Sequence, residues 1–200
     1  MKTTQRNFFF TDSIMYIRYI LKTLKLQYMK YMLKLDYTGR YFSKHDDLYG
    51  YEGCYAVDRL LKKLSISNND SILDIGCGKG LLLFYAAKFD FKRIDGIEIS
   101  SELTGIAQNN LLKIKDNRMH IFNIDARVFS GYDEYNYFFI NNPFSEKIMN
   151  DIALKLKKIS LDKKKKITVL YQFPFYKKKF TDMGFDIFYE KFPDCILTFG

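Results

Sequence analysis

Three acidic residues close three apolar runs at comparable places in the chain. Asp74 lies inside "SILDI", Glu98 is the next-to-last residue of "DGIEI", and Asp125 follows "HIFNI". Apolar runs of this length read as strands buried on both faces. Gly76, Gly78 and Gly80, in "LDIGCGKG", sit between the first run and a helical segment, where glycine lets backbone and ligand approach closely. The loop is not the dinucleotide fingerprint, because position 81 is Leu81, nor a Walker A loop, because Lys79 lacks the Ser or Thr that motif needs. With Asp74 just before it, the loop suits a ligand carrying positive charge better than two phosphates. Glu98, 18 residues after Gly80, can accept from both hydroxyls of a ribose, the geometry a dinucleotide fold uses. Asp125 can accept from an adenine amino group. The alternative is that all three are helix N-caps, but three in register with a glycine loop favour a shared crevice. A fourth run, "YFFINNPFSEK", passes from apolar residues straight into Asn141, Asn142, Pro143 and Phe144. Asn and Pro are ordinary turn residues; two amides at the end of a buried strand can also receive a ligand.

The elements that position these residues alternate. Residues 71–75, 92–99, 119–124, 135–140 and 166–173 read as strands. Helical segments at 80–89, 101–115, 145–158 and 174–183 and a short turn or helix after 124 lie between them. Such alternation predicts an α/β fold with a mostly parallel sheet covered on both faces. The last two strands, "FDIFYEKF" and "CILTFG", are joined only by Pro193-Asp194, too little chain for a crossover, so they must be antiparallel. Upstream, Ile14, Ile17, Leu21, Leu24, Tyr28, Tyr31 and Leu35 recur at helical spacing over 12–35, with Arg18, Lys22 and Lys25 on another face and Gly39 as the expected stop. Such a basic amphipathic helix packs on its own domain, lies on a membrane or grips nucleic acid. Leu60, Leu61 and Leu64 suggest a further helix. The organisation expected is an N-terminal helical extension over 1–47 and a domain over 48–200.

The glycine loop, Glu98 and the "NIDA" segment together resemble the seven-strand, Rossmann-like, S-adenosylmethionine-dependent methyltransferases. That resemblance spans residues 50–200 and implies the sheet order 3-2-1-4-5-7-6. It implies donor contacts from Asp74, Gly76, Cys77, Gly78 and Gly80, from Glu98 with Ile99, from Asp125 with Ala126, and from Asn141. "NNPF" resembles the Asn-Pro-Pro-Tyr/Phe motif of N-methyltransferases, with Asn142 in place of the first proline, and assigns the acceptor side to Asn141, Asn142, Pro143 and Phe144. The doubled Asn is also similar to the seven-strand histone-lysine methyltransferases. That family's Tyr-Gly-Glu loop is similar to "LYGYEG", which adds Tyr49 and Glu52 to the donor residues, Glu52 one place later than the family spacing.

Composition narrows the classes further. Two hundred residues with 48% hydrophobic side chains suffice for one domain with a core. Three cysteines at unrelated spacings form no disulfide framework or zinc pattern, and no metal site is expected. The longest uncharged runs, about 11 residues, fall short of the roughly 18 a membrane helix needs. With no apolar signal region at the N-terminus, a cytoplasmic protein is expected. Residues 1–44 carry net +7 and residues 155–179 net +9 around a mildly acidic middle, so RNA or another polyanion is a possible partner. The run Lys163–Lys166 reads as a solvated loop. The function expected is methyl transfer to an amine on protein or RNA. The alternatives are O-methylation of a small molecule or sugar, and donor or nucleic-acid binding without turnover. Only His45 and His120 could serve as imidazole bases.

Overall fold

Runs rich in branched and aromatic residues become strands buried on both faces. They are β1 (Ser71–Ile75), β2 (Arg93–Glu98), β3 (Met119–Asn123), β4 (Tyr137–Ile140) and β5 (Ile167–Gln172), followed by β6 (Asp186–Lys191) and β7 (Asp194–Phe199). The computed structural model describes residue 17 and residues 20–41, 51–52, 57–141 and 144–200, with backbone alone at 40, 41, 51 and 52. The expected site residues Tyr49, Asn142 and Pro143 lie outside these, as do the side chain of Glu52 and residues Ile14, Arg18, His45 and Cys54.

The sheet runs β3-β2-β1-β4-β5-β7-β6, the order implied by the resemblance. β1 to β5 pair in parallel. β7 is antiparallel to both β5 and β6, as the tight turn before it required. The edge strand β6 is largely exposed and carries charges at Asp186, Glu190 and Lys191, which discourage pairing with another chain.

Helices cover both faces. α1 (residues 20–32), α2 (Asp58–Leu61), α3 (Leu81–Ala86) and α4 (Ser101–Ile114) share one core with Met29, Leu60, Leu82, Phe91, Phe139 and Leu170. α5 (Glu146–Lys163) and α6 (Lys177–Thr181) share the other with Tyr132, Phe138, Met149, Leu156 and Phe180. A short ribbon pairs Arg40 with Glu52 and Tyr41 with Tyr51.

Three expectations shift. The N-terminal helix stops before Leu35 rather than at Gly39: Lys34 takes φ 59°, the Met29 carbonyl accepts from the amides of Leu33 and Leu35, and Leu35 and Tyr37 turn into the core. Residues 174–183 form only the short α6, because Phe173 takes φ 50° and Pro174 follows it. The lysine run is not a free solvated loop. α5 extends through Lys163, whose ammonium pairs with Asp133 at 2.9 Å, and Lys165 donates at 2.6 Å to the carbonyls of both Asp133 and Tyr135. Long apolar stems let these charges reach backbone acceptors while covering apolar surface. Since α5 leads from the end of β4 to the start of β5, this cluster lies at the sheet edge opposite the glycine loop.

Candidate functional site

The strand registers set the site. Ile75 is level with Ile97 and Ile140, and Ile140 with Tyr171. The next residue on each strand, Gly76, Glu98, Asn141 and Gln172, therefore forms one row across the carboxyl edge, about 4.8 Å per strand. β1 and β4 are the strands at which the chain's order reverses, and open α/β sheets bind ligands in the crevice there.

The glycine loop turns sharply above β1. Gly76, Gly78 and Gly80 take φ of 78°, 53° and 79°, a region that side-chain-bearing residues rarely occupy. Both the Gly76 and Cys77 amides donate to the Ile97 carbonyl at 3.0 Å, which ties the loop to β2. Gly96 leaves room for it: a methyl there would meet Cys77 at 2.7 Å.

Asp74 is 3% exposed, and no hydrogen bond reaches its carboxylate among the described residues. Burial pushes its carboxyl well above the usual carboxylate range, and the nearby Glu98 charge adds to this. The Cys77 thiol is raised by burial and by the charges of Asp74 and Glu98, so it is an inert packing group. Glu98 is itself raised by burial, against amide bonds that favour its charged form. Its Oε2 accepts from the Gly78 amide and its Oε1 from the Ser100 amide, both at 2.9 Å. Each oxygen keeps lone-pair capacity for a hydroxyl. Ile99 lies beside it, exposed, and Asn123 donates to the carbonyls of Glu98 and Ile99 at 2.9 and 3.0 Å.

None of the three acids caps a helix. The N-cap of α4 is Ser100, whose hydroxyl accepts from the Leu103 amide, and that of α3 is Gly80. Asp125 follows β3 and is gripped by Arg127, whose Nε and Nη2 lie 2.9 and 2.6 Å from Oδ2. Ala126 is buried next to it, its carbonyl accepting from Tyr132 at 2.8 Å.

On the other side of the row, Asn141 is half-buried and its side chain makes no hydrogen bond among the described residues. Phe144 is 6% exposed and packs in the second core.

Two parts of the edge were missed by the reading of the sequence. One is a strap after α1. Lys79 donates to the Thr38 carbonyl at 2.6 Å and pairs with Asp36 at 3.3 Å, while Asn110 accepts from the Asp36 amide at 2.9 Å and donates to the carbonyls of Asp36 and Lys79 at 2.9 and 3.1 Å. Burial opposes it, but bonds from Thr38 and the Lys79 charge hold Asp36 below its ordinary value. The other is an aromatic rim. Phe173 follows β5 with its ring centroid 6.4 Å from Phe175 and 5.9 Å from Phe192, and the last two are exposed. Beneath it, the fully buried Asp194 accepts from Gln172 at 2.9 Å and from Arg59 Nε at 2.8 Å. The available signal was "QFPF" (172–175), which repeats at the end of β5 the aromatic–proline pattern of "NNPF" at the end of β4.

The crevice thus offers a buried carboxylate with no hydrogen-bond partner among the described residues, a loop open to close approach and a second carboxylate with free lone pairs. These features fit S-adenosylmethionine, which is cationic and carries a ribose.

Comparison with known proteins points the same way. A family model described as "Methyltransferase domain" matches residues 49–196. Over 62 residues the chain is 35% identical to "Probable protein arginine N-methyltransferase 3" of Arabidopsis thaliana, covering 31% of this chain and a tenth of that relative's length. Among solved structures, an RNA methyltransferase from Salinibacter ruber in complex with S-adenosylhomocysteine superposes with a TM-score of 0.51 at 17% identity, covering 72% of this chain and 88% of that one. The magnesium protoporphyrin IX methyltransferase from Synechocystis with bound donor gives 0.52 at 18% identity, covering 71% and 74%. The chain belongs to the methyltransferase-domain family.

Proposed function

We propose that the chain transfers the methyl group to an amine nitrogen on a protein or RNA. The observation that carries this reading is the row along the carboxyl edge, which sets the Asn141 amide on the strand next to the glycine loop. The donor, when bound, supplies an activated methyl on a sulfonium sulfur. An acceptor nitrogen must then be held about 3 Å from that methyl with its lone pair aligned. Asn141 accepts the amine's N–H bonds and so leaves its lone pair aimed at the methyl. The nitrogen lone pair forms the new N–C bond, the C–S electron pair leaves with sulfur, and the amine releases a proton. Glu98 holds the ribose and Asp74 faces the cationic amino-acid part, with Asp125 on the adenine side of the donor site.

An O-acceptor would call for a base, and His120 is turned away from this edge: it is the second residue of β3, level with Asp95, and its ring nitrogen lies 3.1 Å from that carboxylate. The aromatic rim supports an acceptor large enough to extend one or two strands, about 5–10 Å, past the switch point. Incubation with labelled donor and cell extract, split into protein, RNA and small-molecule pools, tests the reading. Acid-stable N-methyl label in protein or RNA is expected, and base-labile ester or small-molecule label overturns it.

Asp74 gives a separate expectation. A buried acid with a raised pKa costs stability: the penalty is absent below the unfolded value, grows as pH rises from there towards the folded one, and is complete above it. Asp74→Asn should therefore raise the thermal midpoint of the ligand-free protein near neutral pH by at least ~2 °C, the shift of roughly 1 kcal/mol in a chain of this size. The gain should vanish in acid. Donor affinity should fall ~10–100-fold, as for loss of a charged hydrogen bond, and wild-type affinity should weaken as pH drops and Asp74 protonates. Scanning calorimetry and titration across pH check both signs.

A further inference from the structure

α1 presents an apolar face to solvent. Ile17, Leu21, Leu24, Tyr28 and Tyr31 follow at steps of four and three, and all are between 55% and 67% exposed. Ile20 and Met32 flank them and are exposed too. At about 100° per residue these seven side chains span an arc of roughly 120°. The inward face is used instead by Met29, which is buried, and Leu26, which packs beside it. An isolated exposed Leu needs no explanation, but a continuous apolar face does.

The charges say what covers it. Residues 13–35 contain five cations, Arg18, Lys22, Lys25, Lys30 and Lys34, and no acid. Lys25 lies at the border of the stripe, its ammonium 4.7 Å from the Tyr85 ring, and Lys30 pairs with Asp36 at 3.7 Å. A polyanion such as RNA would satisfy the cations but not the apolar face. A second copy of the helix would cover only the four–three seam, leave Ile20 and Met32 in water, and bring cation against cation. A flat surface that is apolar inside and anionic at its rim meets every one of these features at once. Tyr28 and Tyr31, each with an apolar ring and a polar tip, suit the headgroup boundary. We infer that α1 is an interfacial helix that seats the protein on an anionic lipid surface, lying in its plane.

The chain contains no Trp, so Tyr28→Trp places a single reporter on the outward face. The full chain is mixed with vesicles of phosphatidylcholine, or of phosphatidylcholine with a third phosphatidylserine. The expected result is cosedimentation and a blue-shifted emission with the anionic vesicles. Binding should be at least ~10-fold weaker to neutral vesicles, the share of about two lysines near the surface, and should weaken in high salt. A Leu21→Glu, Leu24→Glu double variant should lose vesicle binding while keeping its melting midpoint and donor affinity, because both side chains are about 60% exposed. No binding to either vesicle overturns the inference, as does equal binding to both. So does a dimer in velocity sedimentation that the double variant dissolves, since the face would then belong to a second copy.

Discussion

Asn141→Ala should lower the single-turnover rate ~100-fold or more while leaving donor affinity essentially unchanged. Asn141 follows Ile140, which is level with Ile75 on one side and Tyr171 on the other. It therefore stands across the switch point from the glycine loop rather than within it. Its side chain is half-buried and makes no hydrogen bond among the described residues, so removing it breaks no bond to any of them. What is lost on our reading is the orientation of the acceptor. A factor of 100 in rate corresponds to about 2.7 kcal/mol, within reach of one well-placed amide acting on an otherwise free amine. Titration gives the donor affinity and rapid quench the rate. If the variant methylates normally, "NNPF" is a turn and no more. If rate and donor affinity fall together, Asn141 belongs to the donor site.

The fold was legible because its signals are local. Each strand of the parallel set is a short apolar run, and each glycine or acidic residue at its end falls where the pleat stops. The antiparallel β6–β7 pair followed from a connection too short to cross over. What escaped depends on partners distant in sequence. The length of α5 reflects Lys163 finding Asp133 across thirty residues, and its periodicity alone could not say that the lysines after it would anchor a neighbouring turn. The end of α1 is set by Leu35 and Tyr37 reaching the core, which outweighs the cost of φ 59° at Lys34.

The site divides in the same way. The row of Gly76, Glu98 and Asn141 was readable from the ends of three strands. The strap over the glycine loop was not: Asn110 joins Asp36 and Lys79 from the middle of α4, where an Asn looks like an ordinary surface residue of a helix. Phe144, assigned to the acceptor side by the resemblance of "NNPF", has its ring buried with Ile148 and Met149. The exposed aromatic surface at this edge is supplied one strand further on, by Phe175 and Phe192.

Glu98 carries the account's central claim, that the crevice above β1 and β2 holds the methyl donor through its ribose. Its two oxygens are fixed by the Gly78 and Ser100 amides, so the carboxylate is pre-organised and its remaining lone pairs point where a ligand can use them. A hydrogen bond to a charged group contributes about 1.5–3 kcal/mol. Glu98→Ala should then weaken binding ~10–100-fold, and Glu98→Gln, which keeps the shape and one acceptor oxygen, should weaken it less. The test is calorimetric titration of the wild type and both variants with S-adenosylmethionine and its demethylated product. The account expects saturable binding of both ligands by the wild type and graded loss in Gln and Ala. A wild type that binds neither ligand, or an Ala variant that binds both as tightly as the wild type, would contradict it.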